Sequence, residues 1–146
     1  MATPTAHKDA QGQNDIDRNA RQYTDLDLFF GRKTTSKNIN KVTDVQAVKR
    51  SIRNLVLTNH YEKPFHPEIG SGVRGILFEL MTPLTAHILT RKIEDVIENF
   101  EPRARLISVR ASPNLDRNEY ECTVSFFVVN APTELVALTV FLERLR

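Results

Sequence analysis

The hydrophobic period of the chain changes at residues 101–103, and that change restricts the fold more than any other feature. Upstream, over about 83–100, Leu89, Ile93, Val96, Ile97 and Phe100 recur at helical spacing. Downstream, from Ala104, apolar residues recur at every second position. Glu101, Pro102 and Arg103 stand between the two patterns. Proline has no amide proton to give a helix, so it fixes where the helix stops and how the chain leaves it. Helices come first and strands follow, the order of an α+β fold.

The rest of the chain divides by the same test. Residues 1–22 are polar and without period, and are expected to form a flexible tail. Residues 23–146 are expected to form one domain. "YTDLDLFFGRK" alternates, with Leu26, Leu28 and Phe30 on one face and Asp25, Asp27 and Phe29 on the other. With Gly31 as a turn and "NINKV" as the return, it reads as a hairpin. "TDVQAVKRSIRNLVLTN" is a helix with Val45, Val48, Ile52, Leu55 and Val56 on one stripe, and Thr43 or Asp44 as cap.

"HYEKPFHPEIGSG" holds too much proline and glycine for a regular element and reads as a defined loop anchored by Phe65 and Ile69. A short helix follows, with Val73, Ile76, Leu77 and Leu80 on one face and Ser71 as cap. Thr82 and Pro83 are the cap and first-turn proline of the helix that ends at Phe100. In "EYECTVSFFVVN", Tyr120, Cys122, Val124, Phe126 and Val128 alternate with polar residues, and Pro132 is expected to break the pattern. Residues 134–145 fit a helix through Leu135, Leu138, Leu142 and Leu145, or a strand through Val136, Leu138, Val140 and Leu142. Their β-branched content favours the strand.

Chemistry is sparse. A formal net charge of +2 does not by itself call for nucleic acid or an anionic membrane, and no nucleic-acid motif is present. Eight basic residues between 31 and 63 (Arg32, Lys33, Lys37, Lys41, Lys49, Arg50, Arg53, Lys63) face only Asp44 and Glu62, and could meet an acidic partner or form a solvated face. The single cysteine, Cys122, has no disulfide partner in the chain and fits a reducing compartment. Neither a signal peptide nor a membrane span is expected. The histidines His7, His60, His66 and His87 lack ligand spacing, so no metal and no cofactor is expected. "GSG" at 70–72 ends without the lysine of a phosphate loop and follows no strand, so it is no nucleophile elbow. Glu79, Glu94, Asp95, Glu98 and Glu101 could in principle supply a glycosidase pair, although the chain has no tryptophan to stack on a sugar.

What stands out is architectural. The expected fold is an N-terminal hairpin, three helices and a small, mainly antiparallel C-terminal sheet completed by strands from partners, because a small apolar sheet leaves open edges. In order, "DLDLFF", "AVKRSIRNLVLTN", "EKPFHPEIGSGVRGILFEL", "FEPRARL" and the paired strands resemble the sheath-initiator proteins of contractile-tail baseplate wedges, the gene product twenty-five family with counterparts in type VI secretion baseplates. The run "RNLVLTNHYEKPFHPEIGSG" is its most specific part, and residues 1–22 lie outside it.

The resemblance implies a structural, non-enzymatic protein that joins wedge-core bundle proteins, tail tube or hub neighbours and sheath protein in a six-fold array. It implies a place in the tail baseplate of a virion assembled in host cytoplasm, or in a secretion or injection machine. It implies docking on the wedge core through Glu101, Pro102 and Arg103. The alternating residues Tyr120, Cys122, Val124, Phe126 and Val128 are expected to pair with a sheath strand. Read without the resemblance, Glu101 and Arg103 would form an ion pair within the chain. Family members described as lysozyme-like leave a tail-associated peptidoglycan hydrolase as the alternative, and a cytoplasmic adaptor as a second.

Overall fold

The computed structural model describes residues 23–32, 34 and 38–144; the expected tail at 1–22 lies outside them. Strand β1 (Thr24–Leu26) pairs antiparallel with β2 (Lys41–Thr43). The expected strand through Phe30 stops at Leu26, because the Asp27 carboxylate accepts the Phe29 amide at 3.2 Å and Phe30 takes a positive φ of 52°. Local side-chain bonding thus turns the chain where alternation alone predicts extension. Leu26, Leu28, Phe29 and Phe30 are left exposed.

Helix α1 (Asp44–Leu57) buries Ala47, Val48, Ile52 and Val56. Thr43 occupies its N-cap without a side-chain bond, contrary to expectation. Asp44 instead accepts the Tyr23 amide at 3.2 Å and ties the helix start to the hairpin. After α1, the Ser71 hydroxyl donates to the Val56 carbonyl at 2.7 Å and accepts the Val73 amide at 3.2 Å. The loop of residues 58–72 is thereby clamped between two helices. Of its two expected anchors, Ile69 is partly buried, but Phe65 is 98% exposed.

A single turn, α2 (Val73–Ile76), buries Val73 and Ile76 with Leu77 beside it, while Leu80 turns outward. Helix α3 (Pro83–Phe100) starts as read, with the Thr82 hydroxyl accepting the Thr85 amide at 3.1 Å. Its buried stripe contains Leu89, Ile93, Val96 and Ile97.

The C-terminal sheet has the order β3 (Ala104–Asn114), β4 (Glu119–Val128), β5 (Ala131–Glu143), antiparallel throughout. Residues 134–143 are therefore strand. Pro132 falls in the opening of β5, where the register slips: Val128 pairs with Ala131, but Phe127 pairs with Leu135. The inner face carries Val109 from β3, Tyr120 to Val128 in alternation from β4, and Val136, Val140 and Leu142 from β5. These close the core against α1, α2 and α3, as the period-2 pattern requires.

Candidate docking corner and sheet edges

Helix α3 delivers Glu101 to its C-cap, where the Glu101 amide donates to the Ile97 carbonyl at 3.0 Å. The side chain is 3% exposed. Two residues on, Arg103 Nε donates to Glu101 Oε1 at 2.7 Å and Nη2 donates to Oε2 at 3.0 Å. The remaining nitrogen, Nη1, donates to both carboxylate oxygens of Asp25, at 3.3 and 3.1 Å. The guanidinium also lies 5.7 Å from the centre of the Tyr23 ring. All three guanidinium nitrogens are thus engaged within the chain.

Burial would push the Glu101 pKa up. Hydrogen bonds from Arg103 and Ser51, together with the Arg103 charge, outweigh it and hold the carboxyl below its ordinary value. The same pair raises the Arg103 pKa. The corner therefore locks the end of α3 to β1. The Arg103 carbonyl accepts the Val129 amide at 3.0 Å and adds the far end of β4. Pro102 is the member turned to solvent.

Beside the corner, a groove of about 670 Å³ runs between the hairpin, α1 and the following loop, with Leu26, Leu28, Leu55 and Ile69 among its lining. Arg50 on its wall pairs with Asp27 and lies 5.3 Å over the Phe29 ring. Part of the basic cluster is thus neutralised internally, whereas Lys41, Lys49 and Arg53 enter no ion pair among the described residues.

The second set of expected site residues sits elsewhere than a strand-pairing role needs. Tyr120, Cys122, Val124, Phe126 and Val128 are fully buried on β4. Strand β4 is the centre of the sheet, hydrogen-bonded to β3 on one side and β5 on the other. Its backbone is saturated, so the edges open to another chain belong to β3 and β5.

The two edges differ. Strand β3 carries exposed Arg105 and Arg110, a register break between Leu106 and Ser108, and Pro113 near its end. Charge, bulge and proline are the features that discourage edge pairing. Strand β5 also has a proline, Pro132, and a register slip, both at its start, but from Leu135 to Leu142 it carries no charged residue, and Leu135, Ala137, Thr139 and Phe141 are exposed on its outer face. That uncharged run, "LVALTVFL", was the signal available in the sequence for the open edge.

Among the described residues, no cluster of three or more His, Cys, Asp or Glu could hold a metal ion. No helix among them is long and apolar enough to cross a membrane.

A family model described as "Baseplate wedge protein gp25" matches residues 42–133. The baseplate wedge protein gp25 of Enterobacteria phage T4 is 30% identical over 113 residues, covering 77% of this chain and 85% of that protein. Solved structures share the fold. A chain of the anti-feeding prophage baseplate, solved by cryo-electron microscopy with six-fold symmetry applied, superposes with a TM-score of 0.61 at 20% identity, over 87% of this chain and 90% of that one. A putative tail lysozyme from Geobacter sulfurreducens gives a TM-score of 0.58 at 22% identity, over 66% of this chain and 88% of that one.

Proposed function

This chain belongs to the baseplate wedge protein gp25 family, and we propose that it docks on the wedge core through the Glu101–Pro102–Arg103 corner and starts sheath polymerisation by taking a sheath strand onto β5. It is a baseplate component of a contractile tail or a related injection machine. Its neighbours in the particle are wedge-core bundle proteins, tube or hub proteins and the first sheath ring, in six copies around the tail. Assembly takes place in the host cytoplasm.

The observation that carries the strand reading is the uncharged edge of β5, next to a central strand whose own edges are filled. An incoming strand there satisfies a row of backbone donors and acceptors, and its alternate side chains meet the sheet faces. The docking reading rests on the rigidity of the corner. With Arg103 closed on Glu101 and Asp25, Pro102 and the exposed portion of Asp25 form a surface of fixed shape.

The hydrolase alternative needs a carboxylic acid kept protonated near neutral pH. Glu101 is the buried acid of the described residues, and its environment keeps it ionised. Failure of the purified chain to clear a peptidoglycan suspension is the expected result; steady loss of turbidity would revive that alternative.

The deciding experiment places lysines on the outer face of β5, Ala137→Lys with Thr139→Lys. Both positions are exposed, so folding and entry into the baseplate should be kept, while sheath growth stops at the baseplate. Sheath of normal yield on baseplates containing the double variant would overturn the strand reading. For the corner, Pro102→Glu should abolish co-purification with wedge-core proteins while lowering the urea midpoint only modestly, by the lost ring constraint. Undiminished co-purification would remove the docking role.

A further inference from the structure

Next to the end of β5 lies a second groove of about 360 Å³, lined by Val56 and Leu57 of α1, Val73 and Leu77, and Leu142 of β5, with Phe141 at its outer margin. Its rim carries Asn59, Arg74 and Glu143. Leu57 is 51% exposed there, although it ends an otherwise well-packed helix. The groove is bounded on one side by β5 and on the other by α1 and α2. A fourth strand beside β5 would therefore run along it, with its inward side chains directed where Val136, Val140 and Leu142 already point.

We infer that this groove is the side-chain specificity pocket for the strand taken up by β5, and that it selects an extended segment with a bulky apolar residue opposite Leu142. The inference rests on the strand reading above. The occupant is fixed by chemistry. The β5 backbone row accepts only an extended chain, and the apolar floor rewards one large inward side chain. Backbone pairing supplies sequence-independent affinity; the pocket supplies the choice of partner.

The test measures binding of the sheath subunit from the same particle to the full chain. It compares the native chain with Leu57→Glu and with the Ala137→Lys, Thr139→Lys pair. Leu57 is half exposed, so its substitution should leave folding intact. A parallel reading uses Leu57→Cys carrying an environment-sensitive dye; the native thiol, Cys122, is buried and stays unlabelled. We expect at least tenfold weaker binding for Leu57→Glu and a blue shift of the dye on binding. Loss of binding with the lysine pair but none with Leu57→Glu, and no dye shift, would overturn the pocket and leave the strand reading standing. Unchanged binding in both variants would overturn both. Weakening by Leu57→Glu alone would also overturn the inference, because a pocket for a β5-paired strand cannot act without that edge.

Discussion

Arg103 closes on Glu101 across a single proline, Nε to Oε1 at 2.7 Å and Nη2 to Oε2 at 3.0 Å. The intervening ring fixes one backbone angle, so the two-point grip is largely preorganised. One consequence concerns mutagenesis of this corner. Arg103→Ala removes the counter-charge of a buried carboxylate and the tie to Asp25 together. Breaking a buried pair from one side costs about 3 kcal/mol. Arg103→Ala should thus lower the urea midpoint markedly, with Arg103→Lys intermediate because the ammonium cannot form the fork. Equal midpoints for native chain and alanine variant would show that the pair adds no stability.

Acid should act through the same carboxylate. The native pKa of Glu101 lies below its ordinary 4.5, despite burial, because the Arg103 and Ser51 bonds and the Arg103 charge favour the anion. The folded state then binds fewer protons than the unfolded state. The stabilisation is complete above the unfolded value and is lost as pH falls through the native one. Urea midpoints taken from neutral pH down to about pH 3 should fall through this window. Glu101→Gln should start lower and show a shallower acid limb. An identical limb in the variant would assign the acid sensitivity elsewhere.

Two glycines should respond with opposite sign. A Cβ on Gly70 would lie 2.4 Å from the Asn59 carbonyl carbon and the His60 nitrogen, both backbone atoms. Gly70→Ala should cost about 3 kcal/mol, roughly 10 °C in Tm. Gly75, inside α2, has nothing within 4 Å of its added Cβ. Gly75→Ala should raise Tm by about 2 °C through reduced backbone freedom of the unfolded chain. Calorimetry of the two variants checks both signs.

Cys122 should be silent until the sheet opens. Burial pushes its thiol up to about 12, and the side chain has no exposed surface. Ellman's reagent at mildly alkaline pH should leave the native chain unmodified and titrate one thiol in denaturant. Rapid reaction without denaturant would show that β4 opens readily.

Local pattern carried most of the fold. Periods of 3.6 and 2 located α1, α3 and the three long strands, and the Thr82–Pro83 start of α3 was readable because capping is a matter of a few adjacent residues. Position within the sheet was not readable. Alternation tells which face of β4 is buried, but not that β5 returns to cover its second edge; that depends on pairing between distant segments. Arg103 shows the same division. Its bond to Glu101 is visible at a spacing of two, whereas its bond to Asp25 spans 78 residues. Phe65 misled for a different reason. An aromatic residue between prolines signals an anchor only if the loop folds inward; here Phe65 takes a positive φ of 66° and its ring is exposed.

The β4–β5 ladder runs unbroken from Glu119 opposite Glu143 to Phe127 opposite Leu135. Antiparallel strands pulled along their length share the load across every hydrogen bond at once; pulled crosswise, they unzip rung by rung. A tension line entering this chain through β5 would meet the ladder in shear, its strongest direction, and the saturated central strand would pass the force on to β3 and the clamped corner. Load applied along β5 is thus spread over the whole ladder rather than concentrated on one rung.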